Sequence, residues 1–277
     1  MGFLTKLSIS TSCDFGSQMS QYASLIAISK KTGLDVIFIK EYLEQGWGFP
    51  LGEPFITSPH ILPISDVFNL EIYDIDLDST QLIDERLYFL NPESNYNING
   101  DLGSFKYFNH IRDEIVNIFI FKDDIKNFCL DYLSNIKQEN EILVSIHFRR
   151  GDYLQVSSLN LSLNYYKEAI NTFTNLFPNA KIKYLIFSNG MDWVKDNFKL
   201  NNCVYVENLD RFKDMCLMSL CDHNIIANSS FSWWGAFLNT NPNKKVICPY
   251  NYLNVPNLNE FFNGKYYPEE WISIKVD

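Results

Sequence analysis

From residue 142 onward the chain repeats one pattern: a short apolar, β-branched run, a turn, and then a helical period. Ile142-Leu143-Val144-Ser145-Ile146-His147-Phe148 reads as a buried strand, and further strands are expected at 182–187, 203–206, 224–227 and 245–248. Helices are expected between them at 163–176, 191–198, 210–220 and 231–238, the first with Ser162 at its N-cap. Runs that are apolar throughout, rather than alternating, suit strands covered on both faces. Strands that alternate with helices close their core as a parallel sheet with helices wound on both sides, because parallel neighbours need long crossovers. The expected class is α/β, with a doubly wound parallel sheet in the C-terminal half.

In such a sheet the carboxyl ends of the strands form the ligand crevice. The first strand ends in His147-Phe148-Arg149-Arg150-Gly151-Asp152-Tyr153. Side chains alternate along a strand, so His147 and Arg149 share a face while Arg150 begins the turn at Gly151. Two adjacent guanidiniums are costly in a partly buried site unless an anion joins them, and arginine offers the forked geometry that fits phosphate. A buried Arg–Asp ion pair that only fixes the loop is the plainer alternative. The second strand ends in Ser188-Asn189-Gly190, and the fourth in Asn228-Ser229-Ser230-Phe231-Ser232-Trp233-Trp234. A hydroxyl-rich turn that opens a helix offers amides and hydroxyls to a pyrophosphate without a metal. The same residues also serve as ordinary caps. Trp233 and Trp234 cannot share one helical face, so at most one of them lines a site.

The N-terminal half is less regular. A strand from residue 7, a helix ending near Lys31 with Gly33 as its stop, and a strand at 35–39 make a β-loop-α-β unit. Its loop carries Gly16 toward a helix start and also Asp14, a carboxylate that would repel phosphate but could take a proton from a neutral acceptor. A plain cap or turn residue is the competing reading of Asp14. Residues 46–63, dense in Gly and Pro, read as an irregular excursion. Asp74 and Asp76 have the spacing of a metal-holding pair, yet alternating charged and apolar residues also mark an edge strand, and no His or further ligand joins them. No metal site is therefore assigned. A helical period over 111–136 suggests two helices or a bent one, and the polar joint Lys137-Gln138-Glu139-Asn140 suggests a domain boundary. The expected domains are 1–138, an α/β domain, and 139–277, a Rossmann-like domain with residues 250–277 packing back as a tail.

A formal net charge of −10 disfavours nucleic acid as a partner, although clustered arginines still allow a small phosphorylated ligand. The six cysteines form no C-x-x-C pair and read as reduced core thiols. The apolar runs are too short for a membrane span and the start lacks a signal-peptide core, so a soluble cytoplasmic protein is expected, with peripheral membrane association left open.

These residues resemble the alpha-1,2-fucosyltransferases of glycosyltransferase family 11. His147-Phe148-Arg149-Arg150-Gly151-Asp152-Tyr153 matches that family's H-x-R-R-G-D-Y motif. Ile186-Phe187-Ser188 followed by Trp193, the segment 218–239, and the ending Tyr267-Pro268-Glu269-Glu270-Trp271 follow in the family's order. Cys13 and Asp14 stand where the family has paired glycines, and Asn189-Gly190 where it has two acidic residues. The resemblance implies a GT-B architecture of two Rossmann-like domains facing across a cleft. It also implies GDP-fucose as donor, a galactoside-type glycan as acceptor, inversion at the sugar carbon, and no required cofactor or metal. It assigns Arg149 to the departing β-phosphate and Arg150 to a supporting tie with Asp152 or another carboxylate. His147, Ser188, Asn228, Ser229, Ser230 and Phe231 would surround the nucleotide sugar. Asp14 is a candidate base for the acceptor hydroxyl, and Asp152 is the competing choice. A non-catalytic binding protein of the same shape, or a transferase of another guanine nucleotide sugar, are the alternative readings.

Overall fold

The computed structural model describes residues 6–10, 15–36, 38–39, 61–62, 72–76, 90–91, 94–99, 102–155, 159–252 and 266–275. The chain divides into two compact units, Met1–Ile120 and Phe121–Asp277.

In the first unit, β1 (Lys6–Ser10), α1 (Phe15–Thr32) and β2 (Asp35–Val36) form the expected unit, with β1 and β2 parallel. α1 buries Met19, Ala23, Leu25, Ala27 and Ile28. It ends at Gly33, whose φ of 77° lets its N–H reach the Ser29 carbonyl at 2.7 Å. Lys30 and Lys31 in the last turn suit the negative end of the helix dipole. Short strands β3 (Phe38–Ile39) and β4 (Ile61–Leu62) pair in parallel, which places a strand at the end of the expected excursion. β5 (Ile72–Asp76) and β6 (Asn95–Asn99) complete a parallel sheet of order β2-β1-β6-β5. The Asp74 and Asp76 segment thus lies on an edge strand among the described residues, which suits its alternating pattern. α2 (Arg112–Ile118) follows.

The second unit begins with α3 (Asp123–Ile136), so the helical period from 111 is two helices that belong to different units. The polar joint after α3 is tied down rather than loose. Lys137 pairs with Asp222 at 2.9 Å, and the same carboxylate oxygen accepts the Leu143 N–H at 2.8 Å. Next come β7 (Glu141–Phe148), α4 (Leu163–Leu176), β8 (Lys181–Ser188), α5 (Met191–Asn197) and β9 (Cys203–Tyr205). The chain then crosses back through α6 (Arg211–Leu220) to β10 (His223–Ile225), α7 (Ser230–Phe237), β11 (Val246–Pro249) and β12 (Ile272–Ile274). All pairings are parallel and the order is β12-β11-β10-β7-β8-β9. Winding runs outward from β7 in one direction and then from β10 in the other. The topological switch point therefore lies between β7 and β10, where ligands of such sheets bind.

The faces of β7 explain how the site is supported. Val144, Ile146 and Phe148 enter a core with Tyr165, Tyr166, Phe173, Ile186, Val194 and Phe198 from α4, β8 and the α5 region. Ser145, on the opposite face, accepts a 2.7 Å hydrogen bond from Asn224, whose Oδ1 accepts from Asn239 at 2.9 Å. These buried amides are satisfied within the sheet and its helices, as buried polar groups must be. Of the tail, β12 adds a sixth strand beside β11, and Trp271 packs 5.5 Å from Trp233, centroid to centroid. The described cysteines, Cys129, Cys203, Cys216, Cys221 and Cys248, are reduced, and burial pushes the thiol of Cys248 up to about 12. No described helix is long and apolar enough to cross a membrane.

Candidate active site

The C-terminal ends of β7, β8 and β10 bring together the three polar turns picked out in the sequence. Register fixes their level: Phe148 lies opposite Ser188, and Ile146 opposite Ile225.

His147 is the last inward residue on its face of β7, with 4% of its surface exposed. Its Nδ1 is buried without a hydrogen-bond partner among the described residues, and its ring lies 5.7 Å from that of Phe231 at the start of α7. Burial, reinforced by the Arg149 guanidinium, lowers its pKa to about 3. His147 is therefore a neutral imidazole near pH 7, suited to orienting a ligand by hydrogen bonding rather than to carrying a proton. Arg149, two residues on, lies with its guanidinium carbon 5.1 Å from the Tyr153 ring centroid. A fixed cation beside a neutral, unsatisfied imidazole is an arrangement that fits an anionic ligand with further polar groups.

Arg150 takes the other side. Its guanidinium stacks on the ring of Trp193 in α5, 3.5 Å from the centroid. Its backbone N–H donates to Asn189 Oδ1 at 2.7 Å. The expected tie of Arg150 to Asp152 falls on a side chain outside the described residues; among the described residues the guanidinium meets an aromatic face. Strand alternation gives the reason: Arg150 follows the parity of Ile146 and Phe148, toward the core that includes α5. The two arginines part, one beside Tyr153 and the other over Trp193. Ser188 accepts the Gly190 N–H at 3.0 Å, so its hydroxyl shapes the turn beside this pair.

Asn228 is 2% exposed, and its amide group donates to the carbonyls of Leu159 at 3.0 Å and Tyr252 at 2.9 Å. Its own carbonyl accepts from the Tyr153 hydroxyl at 3.2 Å, while its Oδ1 is buried without a partner. Asn228 is therefore first a strut between three loops. Ser229 occupies the N-cap of α7, yet its hydroxyl makes no bond to the first turn of that helix. Ser230 opens the helix, and Ser232 closes the turn by donating to the Ser229 carbonyl at 3.4 Å and accepting the Ala227 N–H at 3.2 Å. First-turn amides of a helix at a sheet switch point can receive an anion. Both tryptophans of α7 are buried: Trp234 fully, and Trp233 against Phe237 and Trp271 with its indole N–H on the Tyr266 carbonyl at 2.5 Å. Neither lines the turn.

Asp14 lies outside the described residues, as does the side chain of Asp152. Among the described residues, no group of three or more His, Cys, Asp or Glu side chains is placed to hold a metal. Two contacts escaped the sequence reading: the Arg150–Trp193 stack, which strand parity could have suggested, and the Asn189 acceptor for the arginine turn, for which no local signal exists.

Three similarities to known proteins bear on the site. The chain is 33% identical to the O-antigen biosynthesis glycosyltransferase WbnK of Escherichia coli over 174 residues, 59% of this chain and 55% of that protein, so the match reaches about half of that relative's length. It is 23% identical to the galactoside alpha-(1,2)-fucosyltransferase 2 of Mus musculus over 285 residues, 95% of this chain and 76% of that one. Its fold is similar to that of NodZ alpha-1,6-fucosyltransferase soaked with GDP-fucose, with a TM-score of 0.56 at 16% identity, covering 84% of this chain and 92% of that one. This fold similarity agrees with the expected α/β, GT-B-type class. With residues 4–275 matching the profile of glycosyl transferase family 11, the chain belongs to that family and is a glycosyltransferase.

Proposed function

We propose that this protein transfers L-fucose from GDP-fucose to a hydroxyl of a galactoside-type glycan, forming an alpha-1,2 linkage with inversion and without a metal ion. The observation that carries the reading is the position of Arg149 at the switch point beside His147, whose buried Nδ1 has no hydrogen-bond partner among the described residues. Relatives named as galactoside alpha-(1,2)-fucosyltransferases support the linkage, and a neighbour soaked with GDP-fucose supports the donor.

In such a reaction the bond from the sugar carbon to the β-phosphate oxygen breaks as the acceptor oxygen bonds to the opposite face. Negative charge builds on GDP while the sugar becomes oxocarbenium-like. A cation fixed near that oxygen acts mainly in the transition state, because the charge it meets develops there. Arg149 takes this role, and His147 hydrogen-bonds the phosphate or sugar as a neutral group. Ser229, Ser230 and Phe231 flank the diphosphate through amides and hydroxyls, with Ser188 and Asn228 setting the turns around it. The base that takes the acceptor proton is Asp14 or Asp152. Retention of the wild-type rate by Asp14→Asn at every pH would leave Asp152.

The test is a screen of GDP-sugars against galactosides, read by mass spectrometry of the product and by GDP release, with and without EDTA. A fucosylated product formed equally in EDTA supports the reading. Binding of GDP-fucose without release in the presence of any acceptor would make the protein a non-catalytic binder. Transfer of a different sugar would replace the donor, and loss of activity restored by manganese would overturn metal independence.

A further inference from the structure

The turns after β7 and β8 are built into one another. Gly151 has a φ of 41°, and a methyl group added there would run into the side-chain amide of Asn189. A Cβ on Gly190 would lie 2.9 Å from the Cβ of Arg150. Each glycine therefore leaves room for a side chain of the opposite turn. Across this fit run the bond from the Arg150 N–H to Asn189 Oδ1, at 2.7 Å, and the stack of the Arg150 guanidinium on Trp193, at 3.5 Å. The Nε of Arg150 is buried without a hydrogen-bond partner, so the indole face is the principal described contact of this charge. Trp193 is itself anchored, packing partly buried against the core beneath β7 and β8.

We propose that Asn189 and Trp193 are positioning residues of the transfer site: through Arg150 they hold the turn that presents Arg149 to the diphosphate. The physical need is specific. Arg149 stands just beyond the last residue of β7, where the ladder no longer fixes the backbone, and a displacement of about 1 Å in a catalytic group can cost about 100-fold in rate. Anchoring the next residue at both its backbone and its guanidinium removes that freedom. Arginine suits the task because its planar cation stacks broadly on an indole, whereas lysine would offer a point charge. The inference rests on the proposed use of a GDP-sugar.

The experiment compares Trp193→Phe with Trp193→Leu, and Asn189→Asp with Asn189→Ala, in the full-length protein. GDP affinity is measured by calorimetry, donor and acceptor kinetics separately, and thermal stability alongside. Phe keeps an aromatic face and Asp keeps an acceptor, so these two are expected to stay near wild type. Leu and Ala are expected to weaken GDP binding about fivefold or more and to lower kcat, with acceptor KM unchanged. Equal behaviour of Leu and Phe, or of Ala and Asp, overturns the positioning role. If Trp193→Leu does not stay folded, the exposed Asn189 pair decides alone. Absence of GDP binding by the wild-type protein would instead sink the donor assignment on which the inference rests.

Discussion

The hydroxyl of Tyr153 donates to the backbone carbonyl of Asn228 at 3.2 Å, joining the turn after β7 to the turn after β10 across the switch point. The arginine segment and the serine-rich segment are thereby one assembly rather than two neighbouring loops. Tyr153→Phe removes this bond while keeping the ring beside Arg149. The expected loss is about 1 kcal/mol of stability, with GDP binding weakened in parallel. Thermal unfolding and GDP titration check both, and a change in stability with no change in GDP affinity would separate the bond from the site.

Arg149→Ala is the most direct test of the mechanism. A charge-assisted contact to the leaving group in a site shielded from water is worth about 3 kcal/mol, so turnover and GDP affinity should fall by a factor of about 100 or more. Arg150→Ala acts by a different route, through the turn, and should do less. Steady-state kinetics with donor varied checks the ranking. Near-normal turnover in Arg149→Ala would remove that residue from the chemistry.

His147 predicts an acid-side loss of stability. Its folded pKa of about 3 lies below the ordinary 6.5, so the unfolded chain binds the proton more readily. The stabilising contribution of the neutral ring is present above pH 6.5 and is lost as the pH falls toward 3. The slope approaches about 1.4 kcal/mol per pH unit at most. Melting curves at pH 7 and pH 5 should therefore separate further for the wild-type protein than for His147→Gln, which cannot titrate. His223, also lowered by burial, shifts both proteins alike. Equal pH sensitivity in the two proteins would mean that His147 is solvated and readily charged.

Much of this site was legible because strand parity and turn chemistry are local. The run 142–148 announced a buried strand, and its parity put His147 and Arg149 together. The serine-rich turn before α7 and the polar turn at Ser188-Asn189-Gly190 could be placed at strand ends from turn chemistry. The aromatic partner of Arg150 was not foreseen, because it depends on α5 carrying Trp193 beside the turn. β12 was missed for a similar reason: three residues between Trp271 and Lys275 show no period of their own and become a strand only beside β11. The polar joint at Lys137 suggested a domain boundary from composition alone, while the pairing of Lys137 with Asp222 and the place of α3 in the second unit depend on distant residues. Long-range partners decided each of these cases, and their spacing in the sequence carries no signal.

Asp214 on α6 predicts the opposite pH dependence from His147. Its Oδ1 is buried without a partner, and burial, with Asp210 adding to it, pushes its pKa from 3.8 up to about 7. The folded state thus holds this proton more tightly than the unfolded chain does. Its contribution to stability is fully present below pH 3.8 and is lost as the pH rises through about 7. Tyr132, whose own pKa is raised by burial and by Asp214, faces the same carboxyl and gives it no positive charge to meet. Asp214→Asn keeps the size of the protonated acid but cannot ionise. It should therefore gain stability at pH 8, by up to about 4 kcal/mol, and little at pH 4. Denaturant unfolding at the two pH values checks the sign. A variant less stable than wild type at pH 8 would show that the Asp214 carboxylate is solvated or paired, and that no charge is buried between α6 and its neighbours.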